Sequence, residues 1–113
     1  MSIRADKELL SDILNSIEKI ETYIENINYT SFLNDPKTQD AIVRNIEIIG
    51  EAANNITDKT KDNYNLIPWN KIKGTRNRLI HNYSGVNLDI LWNIIKEDIP
   101  DLYMQIKQIT DPE

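Results

Sequence analysis

Residues Arg4–Asn28 read RADKELLSDILNSIEKIETYIENIN, and the spacing of their apolar side chains decides the fold. Leu10, Ile13, Ile17, Ile20, Ile24 and Ile27 recur at alternating steps of three and four. That is the period of one face of an α-helix, so the segment is predicted to form a long amphipathic helix with one continuous core-facing stripe. A half-buried strand would instead alternate at every second residue.

The same period recurs along the chain. Asp35-Pro36 has the form of a helix start: a capping side chain, then a proline in the first turn, where no N–H donor is needed. The second helix is predicted to run to about Ile56, with Ile42, Ile46, Ile49, Ala53 and Ile56 on its stripe. Gly50 lies inside it, at a cost of roughly 1 kcal/mol against Ala, and is expected to mark a tight helix crossing. Thr57–Leu66 is polar and without pattern, and is predicted to be loop. Pro68-Trp69 opens a third, shorter helix with Trp69, Ile72, Arg76 and Leu79 or Ile80 on its inner face, and Ser84-Gly85 breaks the chain after it. Asn87 caps a fourth helix with the stripe Leu88, Leu91, Ile95, Leu102, Ile106 and Ile109. Pro100 falls inside that pattern and is expected to kink or split the helix near Ile99, because it lacks an N–H and its ring meets the preceding turn. The expected fold is all-α, an antiparallel four-helix bundle in one domain over residues 1–113.

Composition removes several chemistries. Without cysteine there is no disulfide, thiolate metal site or cysteine nucleophile. One histidine leaves a metal site to carboxylates. Glu47 and Glu51 share a helix face, but no Glu-x-x-His pair accompanies them, so no metal and no cofactor is expected. The three glycines are far apart and form no phosphate loop. The N-terminus lacks the apolar stretch of a signal peptide, and no window approaches the roughly 18 apolar residues of a membrane span. The expectation is a soluble, cytoplasmic protein with no membrane partner.

The net charge of -5 argues against bulk affinity for nucleic acid, but its distribution is uneven. Between Asp62 and Asp89 there is no acidic residue, while Lys71, Lys73, Arg76 and Arg78 all lie there. Such an island can hold a phosphate locally or be an ordinary solvated helix face.

The remaining chemistry gathers in Gly74-Thr75-Arg76-Asn77-Arg78-Leu79-Ile80-His81-Asn82-Tyr83. Histidine titrates near neutrality and can move protons. Arginine presents a fixed fork of donors to phosphate oxygens, and Asn77 can hydrogen-bond the histidine or a phosphate. Tyr83 adds a hydroxyl. The set suits cleavage of a phosphodiester without metal, with His81 acting on the 2′-hydroxyl or the leaving oxygen and Arg76 balancing charge on the phosphorane. Five residues along an ideal helix turn a side chain by about 140°, so the helix is expected to end close to His81, letting His81 and Tyr83 turn toward Arg76. A single histidine per chain points to a homodimer whose cleft takes one motif from each copy. From spacing alone, the same histidine also fits a helix cap or a hydrogen-bonded structural role.

Arg76-Asn77-x-x-x-His81-x-Tyr83 resembles the Arg-x4-6-His motif of HEPN domains and, in its Arg-x4-His-x-Tyr form, the HepT family. Ile49-Gly50-Glu51-Ala52-Ala53, Ile67-Pro68-Trp69, Asn87 to Ile95 and Ile99-Pro100-Asp101-Leu102 extend the resemblance over essentially the whole chain. It implies a dimeric helical bundle acting as a metal-independent endoribonuclease toxin on RNA. His81 would be the catalytic acid or base, Arg76 the phosphate contact, and Asn77 the residue that orients the pair. Lys71, Lys73 and Arg78 are expected to assist RNA binding, with Arg78 alternatively an ion-pair partner for Glu51. In HepT–MntA modules the partner is a nucleotidyltransferase antitoxin that silences the toxin by adding AMP to the motif tyrosine, here Tyr83. The alternatives are a non-catalytic HEPN-like module that binds a nucleotide or a nucleotidyltransferase, and a purely structural helical adaptor.

Overall fold

The computed structural model describes residues 3–79 and 85–110. They form α1 (Ile3–Tyr23), α2 (Tyr29–Leu33), α3 (Pro36–Asn55), α4 (Asp58–Asn63), α5 (Trp69–Lys73), α6 (Thr75–Leu79), α7 (Leu88–Asn93), a π-helical turn (Ile94–Asp98) and α8 (Ile99–Thr110). Among the described residues there is no strand. The chain is all-α, as its apolar periodicity requires. α1 lies along α3, α8 packs on α1, and α5 and α6 cross α3.

The predicted stripes are the core. Leu10, Ile13, Ile17 and Ile20 of α1 meet Ile42, Ile46, Ile49 and Ala53 of α3, and Leu91, Ile95, Leu102 and Ile106 complete the same cluster. Two helix starts fall where their caps were read. The Asp35 carboxylate accepts from the Thr38 N–H at 3.1 Å, and the Asn87 side chain accepts from the Ile90 N–H at 3.1 Å.

Four departures from the predicted elements have local causes. α1 ends at Tyr23 rather than near Asn28. Asn26 takes φ 65°, a left-handed conformation that asparagine tolerates and that stops a helix. Ile24 and Ile27 still pack against the core from the turn. A second short helix follows at Tyr29–Leu33, capped by Asn28, and carries Phe32 into the core against Trp92 with ring centroids 5.0 Å apart. Third, the predicted loop Thr57–Leu66 contains α4, capped by Thr57 and without a buried residue of its own.

Fourth, the third helix is two short ones. The break falls at Gly74, and the Thr75 hydroxyl donates to the Lys71 carbonyl at 2.8 Å, taking an acceptor that a continuous helix would give to a backbone N–H.

The fourth helix splits at the expected place. The Ile99 N–H donates to the Ile94 carbonyl, five residues back, which widens one turn immediately before Pro100. An ordinary helix would need the N–H that Pro100 lacks, and its ring would press on the turn below. The widened turn accommodates both. No helix among the described residues is long and apolar enough to cross a membrane.

Candidate active site

The expected site lies on α6 and the segment that follows it. α6 has five residues, too few to be stable alone, so its position is set by what it buries. Leu79 is fully buried and Thr75 is buried, while Asn77 and Arg78 are exposed. α5 beneath it is anchored by Trp69, whose indole N–H donates to the Tyr64 carbonyl at 3.1 Å. Gly50 of α3 lies against α5: a Cβ there would sit 3.4 Å from the Ile72 carbonyl oxygen and 3.5 Å from that of Lys73. The close crossing expected of Gly50 is therefore between α3 and the end of α5. After the motif the chain returns to where it left, because the Asn87 N–H donates to the Leu79 carbonyl at 2.8 Å. Gly85 precedes that return at φ 95°, a conformation glycine adopts without strain.

The expected catalytic set is described only in part. The backbone of Arg76 belongs to α6, but its side chain lies outside the described residues, as do His81 and Tyr83. Asn77 stands exposed on α6 with its N–H bonded to the Gly74 carbonyl at 3.1 Å.

The basic island is divided. Lys71 Nζ and Arg78 Nη1 each lie 3.5 Å from the carboxylate of Asp98, one on each oxygen. Arg78 thus pairs with Asp98 of the π-helical turn, not with Glu51. Lys73, two residues beyond Lys71, lines a different, shallow hollow with Arg44, Glu47, Gly50 and Glu51. Residues two apart on a helix point to different sides, so one short helix serves two surfaces. Asp98 is the residue that reading the sequence missed: it lies 20 positions and one helix away from Arg78, and no local pattern joins them.

Lys71 and Asp98 also line a cavity of about 130 Å³ between α3, α5, α6, the π-helical turn and α8. Its wall includes Ile46, Ile72, Ile94 and Leu102, and Thr75, Asp101 and Gln105 contribute polar groups.

Comparison with known proteins gives a consistent result. The family model described as "Ribonuclease HepT-like" matches residues 13–109. A protein of Thermococcus cleftensis named "Probable ribonuclease HepT" is 46% identical over 99 residues, which is 88% of this chain and 90% of that protein. A protein of Caldanaerobacter subterraneus subsp. tengcongensis named "Putative RNase" is 36% identical over 111 residues, covering 98% of this chain and 99% of that one. One of the same name from Methanocaldococcus jannaschii is 36% identical over 107 residues, covering 95% and 98%. No solved structure matches the chain.

Proposed function

The chain belongs to the HepT-like ribonuclease family, and from that premise we propose that it is a metal-independent endoribonuclease, the toxin of a HepT–MntA type toxin–antitoxin pair. The observation that carries this reading is the extent of the match, which runs over residues 13–109 and so contains the whole Arg76-Asn77-x-x-x-His81-x-Tyr83 motif.

In this reading His81 moves the proton. It removes it from the attacking 2′-hydroxyl or delivers it to the leaving oxygen, and a second copy of the chain supplies the histidine for the other half of the exchange. Arg76 holds the non-bridging oxygens as charge builds on phosphorus, where a fixed guanidinium fork acts most strongly. Asn77 orients the pair. The fold supports this assignment by turning Asn77 to solvent on α6 while Leu79 fastens the helix to the core. Tyr83 is the acceptor for silencing: an AMP on its hydroxyl puts bulk and negative charge where an RNA phosphate must sit. The antitoxin is a nucleotidyltransferase of the MntA kind.

The test is cleavage of labelled RNA by purified protein in the presence of a chelator. His81→Ala and Arg76→Ala should each lose activity by about 100- to 10,000-fold while keeping the wild-type helical circular dichroism and melting midpoint. Wild type that leaves RNA intact would remove the nuclease reading, and a His81→Ala chain that unfolds would favour a structural histidine. In cells co-expressing an adjacent nucleotidyltransferase, mass spectrometry should find AMP on the Tyr83 peptide.

A further inference from the structure

The cavity beside α5, which Lys71 and Asp98 line, and the Arg78 side chain that shares the Asp98 carboxylate with Lys71 have no part in the proton transfers above. We propose that together they form a nucleotide subsite that takes a pyrimidine ring in the cavity and its phosphate between Lys71 and Arg78, displacing the Asp98 carboxylate. This inference rests on the ribonuclease reading for its ligand class.

Three observations lead to it. The first is size. A cavity of about 130 Å³ is well below the roughly 300–1,000 Å³ of a site for a drug-sized ligand, but close to the apolar cavity of about 150 Å³ that accommodates one benzene ring. That volume suits a single six-membered ring better than the larger fused rings of a purine. The second is chemistry. Ile46, Ile72, Ile94 and Leu102 offer the ring an apolar bed; Gln105 offers its edge an amide, and the Thr75 oxygen and the Asp101 carboxylate offer acceptors to ring N–H groups, the Thr75 proton being given to the Lys71 carbonyl. The third is the geometry of Asp98. Its two oxygens are each 3.5 Å from a different cation, the way two non-bridging phosphate oxygens would meet the same pair.

Those distances also show why Asp98 would give way. Tight charge-assisted bonds run at about 2.7–2.9 Å, so both contacts are loose. Both cations are about half exposed, at 53% for Lys71 and 40% for Arg78, and such pairs hold weakly. Asp98 acts here as a resident anion. It keeps Lys71 and Arg78 apart at the right spacing and lowers the affinity of the island for phosphates that bring no ring to bind. Affinity is spent on selectivity for a nucleotide.

The experiment uses the full chain with isoleucine methyl groups labelled for NMR, titrated with uridine 5′-monophosphate, adenosine 5′-monophosphate and inorganic phosphate. Uridine 5′-monophosphate should shift the Ile72 and Ile94 methyl resonances; the adenosine nucleotide and phosphate should not. Asp98→Asn should bind the uridine nucleotide about three- to tenfold more tightly, and Lys71→Ala should bind it several-fold more weakly than wild type. Unmoved methyl signals with the uridine nucleotide, equal response to the adenosine nucleotide, or an Asp98→Asn chain that binds no more tightly would each overturn the subsite. The comparison of the two nucleotides needs only wild type, so it stands even if a variant folds poorly. RNA cleavage by the same preparations separates the two readings. Cleavage without methyl shifts removes the subsite and leaves the nuclease, whereas methyl shifts in a protein that cuts no RNA do the reverse.

Discussion

Asp6 shows how much a single side chain can hold. It is 2% exposed and accepts hydrogen bonds from the Thr57 N–H at 3.1 Å and the Thr60 hydroxyl at 2.6 Å, fastening the start of α4 to α1. Burial works to raise its pKa, but the hydrogen bonds from Thr57 and Thr60 outweigh it and hold the carboxyl below the ordinary 3.8. A carboxylate whose folded pKa is depressed stabilises the fold above its unfolded pKa, and that contribution disappears as pH falls through the folded value. Asp6→Asn should therefore cost about 1–3 kcal/mol in urea denaturation at pH 7 and less at a pH well below 3.8. An equal cost at both values would mean that the charge is not what matters. Local caps such as Asp35 and Asn87 were legible because donor and acceptor lie three residues apart. Asp6 and Asp98 were not, because the partners of Asp6 lie at least 51 positions away and those of Asp98 on two other helices.

At the scale of elements, legibility followed burial. α1, α3 and α8 each bury a stripe, and the three-and-four spacing of isoleucine and leucine exposes that in the sequence. α4 buries nothing, so it leaves no stripe; only Thr57 three residues before Thr60 hints at it. The split of the fourth helix could be read because proline has a backbone rule of its own, whereas the break at Gly74 depends on a threonine hydroxyl choosing a carbonyl. The α3–α5 crossing gives a prediction of the same scale. A methyl group at position 50 meets the Ile72 and Lys73 carbonyl oxygens at ordinary contact distance, so Gly50→Ala should stabilise the protein by up to about 1 kcal/mol through helix propensity. Gly50→Leu should push α5 outward, cost about 1–3 kcal/mol and reduce RNA cleavage. Denaturation curves for the two variants check this, and an alanine as damaging as leucine would show the crossing to be tighter than the distances indicate.

For the whole molecule, the described residues span about 42 × 32 × 20 Å, with Leu66 90% and Met104 63% exposed on its surface. The bundle was legible as a class because four amphipathic stretches with short connections have few ways to bury their stripes together. The arrangement of Arg76, His81 and Tyr83 was not legible from spacing alone, because five residues along an ideal helix turn a side chain by about 140°. Sedimentation equilibrium should give twice the monomer mass at micromolar concentration, unchanged in His81→Ala. A monomer over that range would count against a cleft built from two chains.

The hydrogen bond from Asn87 to Leu79 pinches shut the base of the segment that bears His81 and Tyr83. Residues 79 and 87 thus form a fixed pair of anchors. Both anchors belong to the bundle, so an insertion between them should leave the scaffold below little affected, since doubling a closed loop costs only about 0.6 kcal/mol. The stability of the scaffold is thereby uncoupled from what the two anchors carry between them.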